Sequence, residues 1–351
     1  MDNIETAAKF AQRGGAKDDS QSLRRGRGAP PRPDLLRRFS STPLAANLRL
    51  MGRTVRIETN DDAVLELAWK FFERYQDGTP GAPEFTWRLI SEPDPKAQSA
   101  VVHVSAFSDP GLQYVNIGQG NFLAVDLDRR EAIGFLSESF FQDEPRFRHR
   151  PPLDILFCMS AASLGVVALS GSCASLNDRG VLVFGPPNSG KSTTSYLAAK
   201  LGLEFQADQV VFLDMSGGPL RAWGDPFPAV FRPQTLEYLP ELGESAHLST
   251  YAELSFYYLD KSSLQPRWAK PVIPVCSIFL DRSLAGEPEL TQVSREDAAR
   301  RLRVYMLFEE DSRFDAQVDD AINALAAKPA YNLQYDSNPQ IAAAFIRKVL
   351  P

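Results

Sequence analysis

RGVLVFGPPNSGKSTTSYLAAKLG, residues 179–202, decides the fold of this chain. At its centre Gly185, Pro186, Pro187, Asn188, Ser189, Gly190, Lys191, Ser192 and Thr193 match the pattern G-x-x-x-x-G-K-[ST] in full. The two glycines permit backbone angles that a Cβ would forbid, so the loop can wrap an anion. Its successive amides then converge on phosphate oxygens, with the positive end of the following helix behind them. Lys191 is expected to reach the β- and γ-phosphates as a flexible point charge. The Ser192 hydroxyl is expected to be a Mg²⁺ ligand. The apolar run VLVF leads into Gly185, and the helix-forming run STTSYLAAKLG leads out of it. That strand–loop–helix order is the context the motif requires. The expected ligands are therefore a nucleoside triphosphate and Mg²⁺.

A nucleotide site also needs a carboxylate for the metal or the attacking group. A helix over 191–201 carries the chain roughly 16 Å from the loop at about 1.5 Å per residue. Residues 203–208 in extended form return roughly 20 Å at about 3.3 Å each. Asp208 thus comes back level with the phosphates. Two other apolar runs end in a carboxylate, VVFLD at Asp214 and SIFLD at Asp281, and either could serve as a Walker B residue instead. Arg232 in PAVFRP and Arg221 in PLRAW are candidates for a further phosphate contact, since phosphoryl transfer relies on charge stabilisation.

Outward from the loop, the chain divides into three parts. Residues 1–43, including QSLRRGRGAPPRPDLLRR, are polar and without periodicity, and read as a disordered basic tail. Residues 44–150 read as a smaller, strand-rich α/β domain. RTVRIET alternates as a strand, and AVLELAWKFFERY has helical spacing with Leu65, Trp69 and Phe72 near one face. FTWRLI, AVVHVSAF, QYVNIG, FLAVDLD and EAIGFL follow as strands. Residues 151–351 read as the α/β domain that carries the loop. A helix near 152–164 precedes a strand at 166–175, further strands lie at 203–207 and 210–213, and residues 215–268 look irregular. A strand at 274–281, a helix at 295–307 capped by Ser294 and Asp297, a helix near 315–327, the strand YNLQY and a helix near 338–349 complete the chain.

Charge and composition narrow the class. The formal net charge is −6, but residues 1–53 hold 11 Lys/Arg against 5 Asp/Glu, which leaves −12 on the remainder. An acidic body argues against nucleic acid as the main partner. Cys158, Cys173 and Cys276 lie far apart, as do His103, His149 and His247, so no zinc-type spacing occurs. No apolar run approaches the roughly 20 residues of a membrane-spanning helix, and no secretory pattern opens the sequence. The expectation is a cytoplasmic protein with three reduced thiols and no membrane partner.

Three segments in order give the sequence a family resemblance. They are RGVLVFGPPNSGKSTTSYLAAKLG, then LEFQADQVVFLD, then IFLDRS with SREDAARRL and AYNLQYD before a last helix. Over roughly 150–351 this order resembles HPr kinase/phosphorylase-related proteins, which share a core with ATP-type phosphoenolpyruvate carboxykinases. The resemblance implies a kinase that moves the γ-phosphoryl of ATP onto a serine hydroxyl of a protein or peptide. It implies Asp208 as general base and metal neighbour, in the place of the first Asp of a pair. The second Asp of that pair is Gln209 here, and the place often held by His ahead of the loop falls at Ser170. Phosphate binding thus looks intact while the proton-transfer groups differ, which leaves a nucleotide-binding regulatory protein or a simple NTPase as the other readings. Homo-oligomers are common in that family, and no residue here marks an assembling surface.

Overall fold

The computed structural model describes residues 40–94, 105–109, 111–118, 121–141, 152–226, 228–251, 254–259, 264, 269–282, 288–307, 312–336 and 338–350. Residues 1–39 of the expected tail, His103, His149, the start of the expected strand AVVHVSAF and the expected boundary at 150/151 lie outside them.

Alternating apolar residues build the first sheet. It contains β1 (Leu44–Leu50), β2 (Arg53–Thr59), β3 (Phe85–Glu92), β4 (Ser105–Asp109), β5 (Leu112–Gly118), β6 (Asn121–Asp126) and β7 (Glu131–Ser137). The seven strands lie in the order β1-β2-β3-β7-β6-β5-β4. Helix α1 (Asp62–Phe72) makes the crossover between the parallel strands β2 and β3. The Asp61 side chain caps it by accepting from the Ala63 N–H. The sequence spacing grouped Trp69 with Leu65 and Phe72, but Trp69 is 46% exposed. The buried arc runs instead through Val64, Leu65, Ala68 and Phe72, and Trp69 falls just past its edge.

Helix α2 (Pro152–Ser160) belongs to the same core. Phe157 packs edge-on against Phe72 and meets Phe212 at a centroid distance of 4.7 Å. Trp87 donates its indole N–H to the Ser160 hydroxyl at 3.0 Å.

The expected single strand at 166–175 is two strands of different sheets. β8 (Val166–Ser170) and β9 (Ser172–Leu176) part at Gly171. A Cβ on Gly171 would stand 2.9 Å from the Phe184 ring and 3.1 Å from the Val183 carbonyl, so the break needs glycine. β10 (Arg179–Phe184), α3 (Lys191–Lys200) and β11 (Glu204–Ala207) follow, then β12 (Val210–Asp214) and β13 (Arg221–Gly224). Residues 215–268 are not irregular throughout: they also hold β14 (Ala229–Phe231), the short helix α4 (Leu242–Ser245), β15 (His247–Tyr251) and β16 (Leu254–Leu259). Their aromatic and Pro-rich sequence hides short strands that pair with one another, in the order β14-β16-β15. Last come β17 (Ile273–Asp281), β18 (Glu289–Gln292), α5 (Arg295–Arg303), α6 (Asp315–Ala326), β19 (Ala330–Gln334) and α7 (Pro339–Val349).

The expected helix over 295–307 stops at Arg303 because the next residues join β8. Ser170 donates its N–H to the Tyr305 carbonyl at 2.6 Å, and Leu307 donates to the Ala168 carbonyl at 3.2 Å.

The central sheet has six strands in the order β11-β9-β10-β17-β19-β18, and a three-stranded sheet β13-β12-β8 lies beside it. Period-two alternation sorts the two faces of the central sheet. Val181, Val183, Ile278 and Leu280 pack with Ala198 of α3 and with Ala342 and Ile346 of α7. Leu182, Phe184 and Phe279 pack with Leu302 of α5, Ile322 of α6 and Val211 of the neighbouring sheet. The chain is an α/β protein, as its sequence implied.

Candidate functional site: the glycine loop and its edge of the sheet

β10 pairs in parallel with β17, and β17 in parallel with β19. Their carboxyl ends therefore open on one edge, where ligands gather in α/β sheets. Residues 185–190 leave β10 at that edge and enter α3. Strand, loop and helix stand in the expected order.

Each loop glycine fills a space no side chain could share. Gly190 has φ +92°, and a Cβ there would lie 2.7 Å from the Tyr335 hydroxyl. A Cβ on Gly185 would collide with the Ser189 side chain and approach the Leu280 carbonyl to 3.1 Å. Asn188 takes the left-handed region with φ +65°, which asparagine tolerates. The amides of Gly190, Lys191, Ser192 and Thr193 have no hydrogen-bond partner among the described residues. The buried Ser189 hydroxyl also has no partner among them. Pro186, Pro187 and Asn188 form the exposed tip.

The Lys191 ammonium donates to the Gly185 carbonyl at 2.7 Å and to the Pro186 carbonyl at 3.1 Å. It thus folds back over its own loop. Burial pulls its pKa below the usual lysine range, and the Asp208 carboxylate pushes it back up.

Strand register brings Asp208 to the same edge. Ala207 pairs with Cys173, and the next residue of β9, Ser172, pairs with Val183 at the end of β10. Asp208 thus stands two strand spacings from the loop, about 10 Å at about 4.8 Å per strand. Its side chain is buried, and Oδ2 accepts from the Val230 N–H at 2.8 Å. Ser170 also reaches this edge, paired with Val210 on β12. The Gln209 carbonyl accepts from the Gly171 N–H at 3.1 Å, and Gln209 is half-buried.

The other sequence candidates divide. Asp281 ends β17, next to the loop, and accepts from the Gln334 amide at 3.4 Å. Asp214 ends β12 at the opposite end from Val210, about 13 Å away at about 3.3 Å per residue. There it takes both guanidinium arms of Arg53, at 2.8 and 2.9 Å. Arg221 pairs with Asp214 and shares that remote end. The Arg232 guanidinium lies over the Phe256 ring, 4.6 Å from its centroid. Thr193 meets Thr235, three residues on from Arg232, at 3.4 Å between hydroxyls.

Three residues at this edge escaped the sequence reading. Asp225 is buried, and its Oδ2 accepts from the N–H groups of Asp208, Gln209 and Val210 at 2.9, 3.1 and 3.3 Å. One carboxylate thus fixes the turn that presents Asp208. The only signal was the turn-like Gly224-Asp225-Pro226, inside a stretch read as irregular. Arg282 donates to the Asn188 carbonyl at 3.3 Å, and Tyr335 to the Ser189 carbonyl at 2.6 Å.

Gly224 locks this turn against β11. A Cβ at 224 would collide with the Gln206 carbonyl, a backbone atom that cannot rotate away. Tyr75 also donates its hydroxyl to the Gly224 carbonyl. Gly224→Ala is therefore expected to cost about 3 kcal/mol, the upper range for overpacking. Urea unfolding of the two proteins checks it.

No family model matches this chain, and no curated sequence matches it. Among solved structures, the Hpr(Ser) kinase/phosphatase from Coxiella burnetii aligns over 52% of this chain and 94% of its own, at 14% identity and a TM-score of 0.28. Overlap that slight defines neither the fold nor the activity of this chain. No described helix is long and apolar enough to cross a membrane.

Proposed function

We propose that the chain binds ATP with Mg²⁺ at residues 185–193 and transfers the γ-phosphoryl to a serine hydroxyl of a protein or peptide, in the manner of HPr-kinase-like proteins. One observation carries the reading: a loop of open amides and a folded-back Lys191 shares its sheet edge with the buried carboxylate of Asp208. The glycine cradle and the unpartnered Ser189 hydroxyl fit a phosphate chain. Among the described residues no group of three or more His, Cys, Asp or Glu gathers to hold a metal by itself. That suits Mg²⁺, which usually takes one or two protein ligands and completes its shell with phosphate and water. Ser192 and Asp208 would be those ligands.

In this reading ATP supplies the phosphoryl group and Mg²⁺ offsets its charge. Asp208 takes the proton of the acceptor hydroxyl, whose oxygen forms the new bond to phosphorus. The bond from phosphorus to the bridging oxygen breaks, and a nucleoside diphosphate leaves. Lys191 moves from the Gly185 and Pro186 carbonyls to the phosphates and balances the charge there.

Asp208→Asn tests the step. The variant is expected to bind Mg²⁺ and ADP within about tenfold of the parent, yet to lose transfer of label from γ-labelled ATP by about 10²–10⁴-fold, the range for a general base. Undiminished transfer would remove Asp208 from the chemistry. A second reading, a regulatory nucleotide-binding protein, draws on the Val230 N–H held by Asp208 and on the neutral Gln209 beside it. Lys191-dependent binding with neither transfer nor hydrolysis would favour it.

A further inference from the structure

In a phosphate loop that is preformed, the protein itself turns the amides inward. A trans peptide is planar, so its C=O and N–H point in opposite directions. Whatever holds the carbonyl of one residue on the outer side aims the amide of the next residue at the cradle.

At the centre of this loop that role falls to the end of β19. Tyr335 is buried, and its hydroxyl donates to the Ser189 carbonyl at 2.6 Å. The Ser189–Gly190 peptide is thereby fixed with its oxygen toward the sheet and its Gly190 N–H turned away from Tyr335. That N–H has no partner among the described residues. The same hydroxyl occupies the space a Cβ on Gly190 would need, at 2.7 Å, which explains why the left-handed φ of +92° is met here by glycine. Tyr335 is itself anchored: its N–H donates to the Asp281 carbonyl at 3.0 Å, and burial raises its pKa, so the hydroxyl stays protonated and remains a donor. Beside it Arg282 holds the preceding carbonyl, that of Asn188.

We infer that Tyr335 is the positioning residue of the phosphate site, setting the Ser189–Gly190 peptide so that the Gly190 amide faces the phosphate chain. The inference rests on the nucleotide reading above and adds to it a residue that touches no ligand. It also makes a link that the motif alone lacks, since Tyr335 lies far beyond the loop in sequence and reaches it across β17.

The test is Mg²⁺-ADP binding by calorimetry together with the backbone amide NMR spectrum, on the full chain. In the parent protein the Gly190 amide resonance is expected to shift downfield when Mg²⁺ and ADP are added. Tyr335→Phe, read at a temperature where circular dichroism shows it folded, is expected to bind Mg²⁺-ADP about tenfold more weakly. Its Gly190 shift is expected to shrink while those of Lys191 and Ser192 persist, a pattern that general loosening of the fold does not produce. Para-aminophenylalanine at 335 keeps an N–H donor in place and is expected to restore both readouts. A parent Gly190 resonance that stays still while Lys191 and Ser192 respond overturns the inference, and needs no variant. Unchanged affinity in Tyr335→Phe, with binding still lost in Lys191→Ala, also overturns it and leaves the nucleotide reading standing. No response from any loop amide, and none to Lys191→Ala, overturns both.

Discussion

Lys191→Ala is expected to weaken Mg²⁺-ATP binding and phosphoryl transfer more than any other single change at the loop. The parent ammonium is half-buried and already partly stripped of water, held by the Gly185 and Pro186 carbonyls. Moving it onto phosphate exchanges two neutral acceptors for charged ones, which form the stronger bonds. Removing it leaves the open amides of the helix end to balance the phosphates alone. Loss of one donor that stabilises transition-state charge is worth about 10²–10³-fold in rate, or about 2.7–4 kcal/mol. Label transfer from γ-labelled ATP and equilibrium binding of the same nucleotide check the two effects separately.

The charge on Lys191 adds a pH signature. Burial lowers its pKa and Asp208 raises it. Nucleotide binding should fall off on the alkaline side as the ammonium loses its proton. In Asp208→Asn the supporting charge is gone, so that alkaline limb moves toward neutral pH. A limb that stays in place would mean the two groups do not interact.

The second large effect concerns stability. Arg53→Ala is expected to destabilise the fold by about 3–5 kcal/mol, the range for breaking one side of a buried ion pair. Arg53 begins β2 of the first sheet and Asp214 ends β12, and both side chains are only 9% exposed. The pair therefore stitches elements separated by 161 residues. Ser216 and the Trp223 indole also donate to Asp214. Burial works against ionising this carboxyl, but the Arg53 guanidinium and the Ser216 amide and hydroxyl outweigh it and hold the pKa well below the usual carboxylate range. A depressed carboxylate pKa contributes stability above the unfolded value of about 3.9 and loses it as pH falls toward the folded value. Parent and Arg53→Ala unfolding free energies should therefore converge below about pH 4. The double variant Arg53→Met with Asp214→Leu should recover most of the loss, because it leaves no unpaired charge. Asp214 itself, as the last residue of β12, stands at the far end of that strand from the glycine loop.

What could be read from the sequence was local. The strand, the loop and helix α3 are written in one continuous segment, and chain length alone returned Asp208 to the loop's level. The supports of that site were not legible, because Asp225, Arg282 and Tyr335 reach it through strand order, which no local pattern encodes. The run at 166–175 read as one strand because both halves are apolar, and only the Phe184 ring against Gly171 reveals the break. β13 to β16 were missed for a related reason: short strands among prolines and aromatics show their pairing only once folded. Trp69 was misplaced because a helix face is an arc with edges, and one residue past the edge faces water.

The break at Gly171 has a mechanical meaning. The chain passes directly between the six-stranded and three-stranded sheets at two places, Gly171 and the turn at Asp208–Gln209, and a hydrogen bond from the Gly171 N–H to the Gln209 carbonyl ties them together. Like the spine of a book, this line joins two covers, and it runs beside the glycine loop. Asp208 lies on that spine, and two backbone hydrogen bonds between Ala222 of β13 and Val272, just before β17, join the same two sheets again away from it, so the carboxylate is held at a set distance from the loop.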